Sequence, residues 1–510
     1  MSTDRVTLPL VIFAIDAGDP DLIERWVREG YLPTLGWIME RGCWGRTAGP
    51  ELISELGAWL SLFSGVSRIE HGYYDFRQLK PGTYELQLFT AREANARPFW
   101  SRLSRQDKRV AIIDVPDIYP VPALNGVQLS NWATHYSFFP TTAEPASLLS
   151  DVRRVFGPQI KIHEHKAGQR VYRQLMARVD KKGVLCRHLV ASDRFALIVA
   201  AFSDAHTASH AFWKCRSEAR KGETPSAATP GGVANPIRDV YQAIDRQMGL
   251  LLAELPSPAD VWVVSSAGLQ DQSPTTGLVE EFARKLGYQA PAAPGAPSLR
   301  PMDMIRRVVP DSWRVALSQH FPRATRERLL AAQFRDGTNW RATTAFVVPS
   351  FYTGFLRVNL AGREPEGIVE PGAGYDELLD RLETDLRLLL DPETGDPAVR
   401  HVARTQELFG DGPPVSLPDL FVEWDPAFMP RVVHPKAVLE QRPAVIWDSG
   451  HSRHGFVAAA GPSIAGRGRL GDVSPLDLAP TFLSLMGEPV GDEMTGKVLG
   501  AIMHGRSSSA

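Results

Sequence analysis

His206 and His210 stand four residues apart in the stretch Phe202-Ser203-Asp204-Ala205-His206-Thr207-Ala208-Ser209-His210. On a helix that spacing puts both imidazoles on one face, where they can grip a single ion. Asp204 can join them as a ligand or orient one ring from behind. A lone histidine is more often structural, but two at this spacing, beside an aspartate and straight after an apolar run, favour metal. Asp16 closes another apolar run, and a carboxylate there either holds a hard or borderline cation or caps a turn. The loop Ser449-Gly450-His451-Ser452-Arg453-His454-Gly455 offers His451 or His454 as a further ligand and Arg453 as a clamp for an anionic oxygen. The same loop also reads as a histidine-rich surface segment. Ser54 precedes the helix-like run Glu55 to Phe63. It is either an ordinary N-cap or a nucleophile at a helix N-terminus, where backbone N–H groups would steady a transferring phosphoryl group. With no partner base in the sequence, a metal would have to lower its hydroxyl pKa.

Such residues need strands that end beside them. Pro9 to Ile15 is a continuous apolar run, as in a strand covered on both faces. Asp19-Pro20 then reads as an N-cap followed by proline at the first helical position, and a helix is expected to about Glu29. A second helix is expected from Pro33 to Arg41, ending at Gly42. Strand-like runs recur at Arg109–Ile113, Phe195–Ala200, Val261–Val264 and Gly455–Ala459, with a helix expected over Pro236–Leu255. This alternation predicts an α/β fold: a mostly parallel central sheet with helices on both faces, plus a helical cap. In such sheets ligands collect beyond the carboxyl ends of the strands. The expected organisation is an N-terminal part of the core over 5–290, with a flexible loop at 216–235. A helical cap or lid over 291–340 and a C-terminal part of the same core over 341–504 follow, with a disordered tail from Gly505.

The 510 residues carry a formal net charge of -2, which provides no basic field for nucleic acid. Three cysteines, Cys43, Cys186 and Cys215, lie far apart, so neither a disulfide framework nor a cysteine zinc site is expected, and a reducing cytoplasm fits. No apolar run reaches the roughly 18 residues of a spanning helix. The run Leu8 to Ile15 lacks a small-x-small cleavage pattern and reads as a strand rather than a signal peptide. The expected partner is a small anionic or phosphorylated molecule, with no nucleic acid and no membrane, and homodimerisation is left open.

The ordered set Ile12–Gly18, Leu32–Leu35, Ala58–Gly65, Glu70–Phe76, Asp114–Pro116, His206–Trp213, Asn359–Gly367, Leu417–Asp419, His451–Pro462 and Asp477–Thr481 resembles the alkaline phosphatase superfamily. The closest branch is the type I phosphodiesterase/nucleotide pyrophosphatase group. The resemblance implies two metal ions, commonly zinc. One would be held by His210, His451 and either Asp204 or His206, the latter standing where the family places an aspartate. The second would be held by Asp16 and a Ser-Asp-His-Gly motif, which aligns with Ser265-Ser266-Ala267-Gly268, so both of that motif's ligands are absent. The family's nucleophile position falls at Glu55, with Ser54 beside it. The expectation is a metal-dependent hydrolase of a phosphodiester or phosphomonoester, carrying one divalent ion, zinc, rather than two. The alternative is a non-hydrolytic descendant that binds an anionic small molecule or catalyses a transfer or condensation.

Overall fold

Leu10–Ile15 (β1) is six apolar residues, none more than 1% exposed, and only a strand with neighbours and layers on every side can hide such a run. A computed structural model of the chain describes residues 8–54, 56–90, 92–103, 108–135, 140–159, 162, 168–215, 233–255, 258–271, 277–292, 323–350, 352–410, 412–425, 431–440 and 449–504. In it β1 lies at the middle of a nine-stranded sheet. The other strands are Cys43–Thr47 (β2), Val110–Ile113 (β3), Gly126–Ser130 (β4), Thr142–Glu144 (β5), Leu197–Phe202 (β6), Asp260–Val264 (β7), Gly455–Ala460 (β8) and Gly468–Arg469 (β9). Their order across the sheet is β9-β2-β8-β7-β1-β6-β3-β4-β5. From β7 to β4 every pairing is parallel. β8 is antiparallel to both of its neighbours, β2 and β7, and β5 is antiparallel to β4. The sheet is mostly parallel, as its apolar runs predict.

Local signals place the helices of this layer well. Pro20–Arg28 (α1) starts one residue after Asp19, whose carboxylate accepts from Leu22 N–H, and has proline at its first position. Pro33–Arg41 (α2) and, further along, Pro236–Glu254 also begin on proline. Ala58–Ser64 (α3) starts later than its sequence suggests. Gly57 adopts a left-handed φ of 85° immediately before it, so the helix begins only at Ala58. Ser54 is therefore neither the N-cap of this helix nor at its N-terminus. Gln169–Ala191 (α4) and Asp204–Phe212 (α5) complete the elements that carry the site.

The contacts divide the chain into two units. The first comprises 1–71, 90–270 and 448–510 and contains the nine-stranded sheet. The second comprises 72–89 and 271–447. Within it Ala345–Val348, Gly354–Val358, Val399–Arg404 and Leu420–Trp424 form a separate four-stranded antiparallel sheet, against which Leu378, Leu379, Leu382 and Leu386 of the helix Ala373–Arg387 are buried. The segment after 341 thus builds its own sheet before the chain returns to the first, instead of continuing the central core throughout. Apolar runs mark strands without naming the sheet they join. Of the expected cap, the helix Arg323–Asp336 belongs to this second unit, where Glu327 pairs with Arg77; residues 293–322, and 216–232 of the expected loop, lie outside the described residues, as does the tail from 505. No described helix is long and apolar enough to cross a membrane.

Candidate metal centre

The carboxyl ends of β1, β4 and β6 bring the candidate residues together. Asp16 follows β1, and its backbone N–H donates to Phe202 O at the end of β6. α5 starts two residues later, and its spacing puts His206 and His210 side by side with their Nε2 atoms 3.0 Å apart. His206 Nδ1 lies 3.0 Å from Asp16 Oδ2, and His210 Nδ1 lies 2.8 Å from Ser449 Oγ. A third imidazole, unforeseen from the sequence, is His135. Its ring stacks on His206 with centroids 3.7 Å apart, and its Nδ1 lies 3.1 Å from Thr207 Oγ1. His135, His206 and His210 each offer a ligand atom, all within 4.8 Å of one another. His451 packs edge-on against His206, centroids 4.7 Å apart, without joining that group. Burial, reinforced by the facing His206, holds His451 well below the usual imidazole range, so it is neutral.

The sequence signal for His135 was its place just beyond a strand, in Asn131-Trp132-Ala133-Thr134-His135 after β4. Two cations on α4, four residues apart and almost fully buried, hold that segment. Lys182 Nζ donates to Ala133 O and Ala201 O, each at 2.9 Å, and pairs with Asp114 at 2.9 Å. Asp114 in turn accepts from the Trp132 and Ala133 N–H groups. Arg178 Nε binds Asp204 Oδ1 at 2.6 Å, while its Nη atoms reach Thr134 O and Thr207 Oγ1. Asp204 therefore stands outside the histidine group, as the buried counter-ion of Arg178. The pair engages Oδ1 of the carboxylate, while Oδ2 is buried with no hydrogen-bond partner among the described residues.

Three imidazoles are a donor set suited to a borderline divalent ion such as zinc. Tetrahedral bonds of about 2.0–2.1 Å space their donors about 3.3–3.4 Å apart, between the 3.0 Å of the His206–His210 pair and the 4.8 Å limit of the trio. The residues fit one ion. They do not fit the family's second ion. Ser266 and Ala267 stand where the resemblance places its aspartate and histidine, and Ser265 Oγ lies 2.8 Å from both Gly18 O and Ala267 O, with one proton to share between them. Asp16 Oδ1 accepts from Trp59 Nε1 at 3.1 Å, so both of its oxygens already have donors. Burial pushes the Asp16 carboxyl up, but His206, His135 and the Trp59 N–H together outweigh it and hold the group ionised.

Ser54 is buried in the loop before α3, and Glu55 lies outside the described residues. Arg68, fully buried, clamps that loop: its guanidinium donates to the carbonyls of Glu51, Ser54 and Leu56. Glu51 accepts from Ser61 and Ser67 hydroxyls, and Ser61 Oγ meets His71 Nε2 at 2.9 Å. Burial, with Arg68 nearby, keeps His71 neutral well below its ordinary pKa of 6.5. The unfolded chain therefore binds one more proton below that pH. Folding stability is full above about pH 6.5 and falls as acid is added, by up to about 1.4 kcal/mol per pH unit from this group. Urea titrations at pH 7.5 and 5.5 are expected to show this fall, and His71→Gln to flatten it; an equal slope in both proteins would contradict it. Arg453 is half-buried and His454 exposed on the turn before β8.

The sequence pattern of the type I phosphodiesterase/nucleotide pyrophosphatase family matches residues 10–323. Among curated proteins none matches by sequence. Among solved structures, phosphonoacetate hydrolase from Sinorhizobium meliloti 1021 in complex with phosphonoacetate aligns with a TM-score of 0.53 at 13% identity, covering 94% of this chain and 95% of that one. Murine ectonucleotide pyrophosphatase/phosphodiesterase 5 in complex with AMP aligns with a TM-score of 0.49 at 10% identity, over 98% and 100% of the two chains. The nine-stranded fold is thus alkaline-phosphatase-like, and the chain belongs to the type I phosphodiesterase/nucleotide pyrophosphatase family of the alkaline phosphatase superfamily.

Proposed function

We propose that this chain hydrolyses a phosphodiester or phosphomonoester of a small anionic molecule with one divalent ion, zinc, held by His135, His206 and His210. The observation that carries the reading is the convergence of three imidazoles within 4.8 Å in a member of a phosphodiesterase family. When bound, an ion in an open three-ligand site supplies Lewis acidity and acidifies water. The protein's own part is to hold the imidazoles in place through Asp16, Thr207 and Ser449. The aligned phosphonoacetate hydrolase is described in complex with phosphonoacetate, which supports a phosphorylated or phosphonate-like substrate. Ser266 and Ala267, where the second ion's ligands would be, favour the second reading, a non-hydrolytic binder or transferase of such molecules. Elemental analysis of the purified protein, with bis(p-nitrophenyl) phosphate and p-nitrophenyl phosphate turnover, decides between them: one ion with turnover supports hydrolysis, and anion binding without either supports the alternative.

Ser54→Ala separates the nucleophiles. Ser54 sits off the start of α3, and the one-ion reading leaves no second ion to activate it. Turnover is therefore expected to stay within a few-fold of wild type. A drop on the order of 100-fold or more, typical of losing such a group, would instead identify the serine as the nucleophile.

A further inference from the structure

We propose that Asp16 is a positioning residue for His206 and not a ligand of the ion, which reverses the role the first-strand aspartate has where two ions are bound. The proposal rests on the reading of the histidine trio as a metal centre. Its starting point is that each carboxylate oxygen of Asp16 faces a different ring nitrogen. Oδ1 meets Trp59 Nε1, and an indole N–H can only donate. Oδ2 meets His206 Nδ1 at 3.0 Å. Trp59 is itself fixed: it is buried on α3 and stacked on Phe63 with ring centroids 5.7 Å apart. Asp16 is 6% exposed and cannot turn elsewhere without abandoning one of these donors.

A carboxylate at Nδ1 keeps the imidazole proton on that atom and leaves the lone pair on Nε2. That is the atom of His206 that faces His210 Nε2. The pattern repeats around the trio: His210 Nδ1 meets Ser449 Oγ and His135 Nδ1 meets Thr207 Oγ1. Each ring is thus gripped at Nδ1 by an oxygen, and Asp16 is the one charged grip among the three. The other half of the inference comes from Ser266 and Ala267. Without their carboxylate and imidazole, an ion beside Asp16 would lack two of the ligands that the resemblance implies, while both oxygens of Asp16 already meet ring nitrogens, so the aspartate serves the neighbouring ring.

Zinc binding to the full-length protein tests this, with stoichiometry by elemental analysis and affinity by competition with a chromophoric chelator. Wild type is expected to bind one zinc. Asp16→Asn, which keeps an acceptor oxygen but removes the charge, is expected still to bind one, with affinity weakened about 10–100-fold, the usual effect of losing such a partner. Asp16→Ala should weaken it further. The visible spectrum of the cobalt-substituted protein should keep its tetrahedral bands in Asp16→Asn, since no ligand is lost. Two zinc ions in wild type falling to one in Asp16→Asn, or a folded Asp16→Asn that binds none, would make Asp16 a ligand and overturn the proposal. An affinity within twofold of wild type would overturn it too. Trp59→Phe covers the case in which the Asp16 variants do not fold. It should still bind one zinc, and a second ion gained there would refute the assignment. If wild type takes up no zinc, the metal-centre reading falls together with this one; if His206→Ala loses zinc while Asp16→Asn is unaffected, only this one falls.

Discussion

His210→Ala is expected to leave a folded protein that retains no zinc after dialysis and has lost at least about 1,000-fold in phosphoesterase turnover, the several kcal/mol that an ion contributes to such a transition state. The size follows from the geometry. His210 Nε2 lies 3.0 Å from His206 Nε2, so removing one ring leaves the pair without a partner. The two remaining imidazoles, His135 and His206, supply too few ligands for a stable zinc site. The cost to the fold is smaller, about 1–2 kcal/mol, because Ser449 Oγ loses its partner at His210 Nδ1. Elemental analysis and initial rates check both halves. A variant that keeps one ion per chain and wild-type rates would place the centre elsewhere.

The second large effect concerns stability. Arg178→Met strands Asp204, whose side chain is wholly buried, and should cost about 3–5 kcal/mol in urea unfolding. It also releases Thr134 O and Thr207 Oγ1, which Arg178 bridges between the His135 segment and α5 in addition to the direct His135–Thr207 contact. Zinc affinity is therefore expected to fall with stability. The double variant Arg178→Met/Asp204→Leu removes both charges and should recover much of the stability, since an apolar pair can replace a buried ion pair. It should not fully recover zinc affinity, because the Arg178 bridge to the His135 segment stays broken. A cost below about 1 kcal/mol for the single variant would mean the pair is not the buried anchor described.

What could be read in advance was what is locally encoded. β1 and β7 announce themselves by apolar runs, and α1, α2 and the helix from Pro236 by a proline at the first turn. His206 and His210 were legible for the same reason, since their pairing is a matter of helical pitch. The partner of Asp204, Arg178, comes from another helix and is invisible to spacing. His135 was missed because a loop histidine has no periodicity. The late start of α3 turned on one left-handed glycine, Gly57, and the separate sheet after residue 341 on strand partners that no run of apolar residues specifies.

β8 has a consequence for the order of events during synthesis. It lies between β2 and β7 and joins them, with Val457 opposite both Gly45 and Val264. The hydrogen bond from Gly455 N–H to Thr47 Oγ1 closes a separation of 408 residues. β2 is therefore made almost first and reaches the sheet almost last, and until β8 leaves the ribosome the inner edge of β7 is an open template for other chains. Such a long wait favours slow folding and nascent-chain aggregation. Versions of this protein truncated before residue 455 should accumulate as aggregates even though His135, His206 and His210 have already been translated.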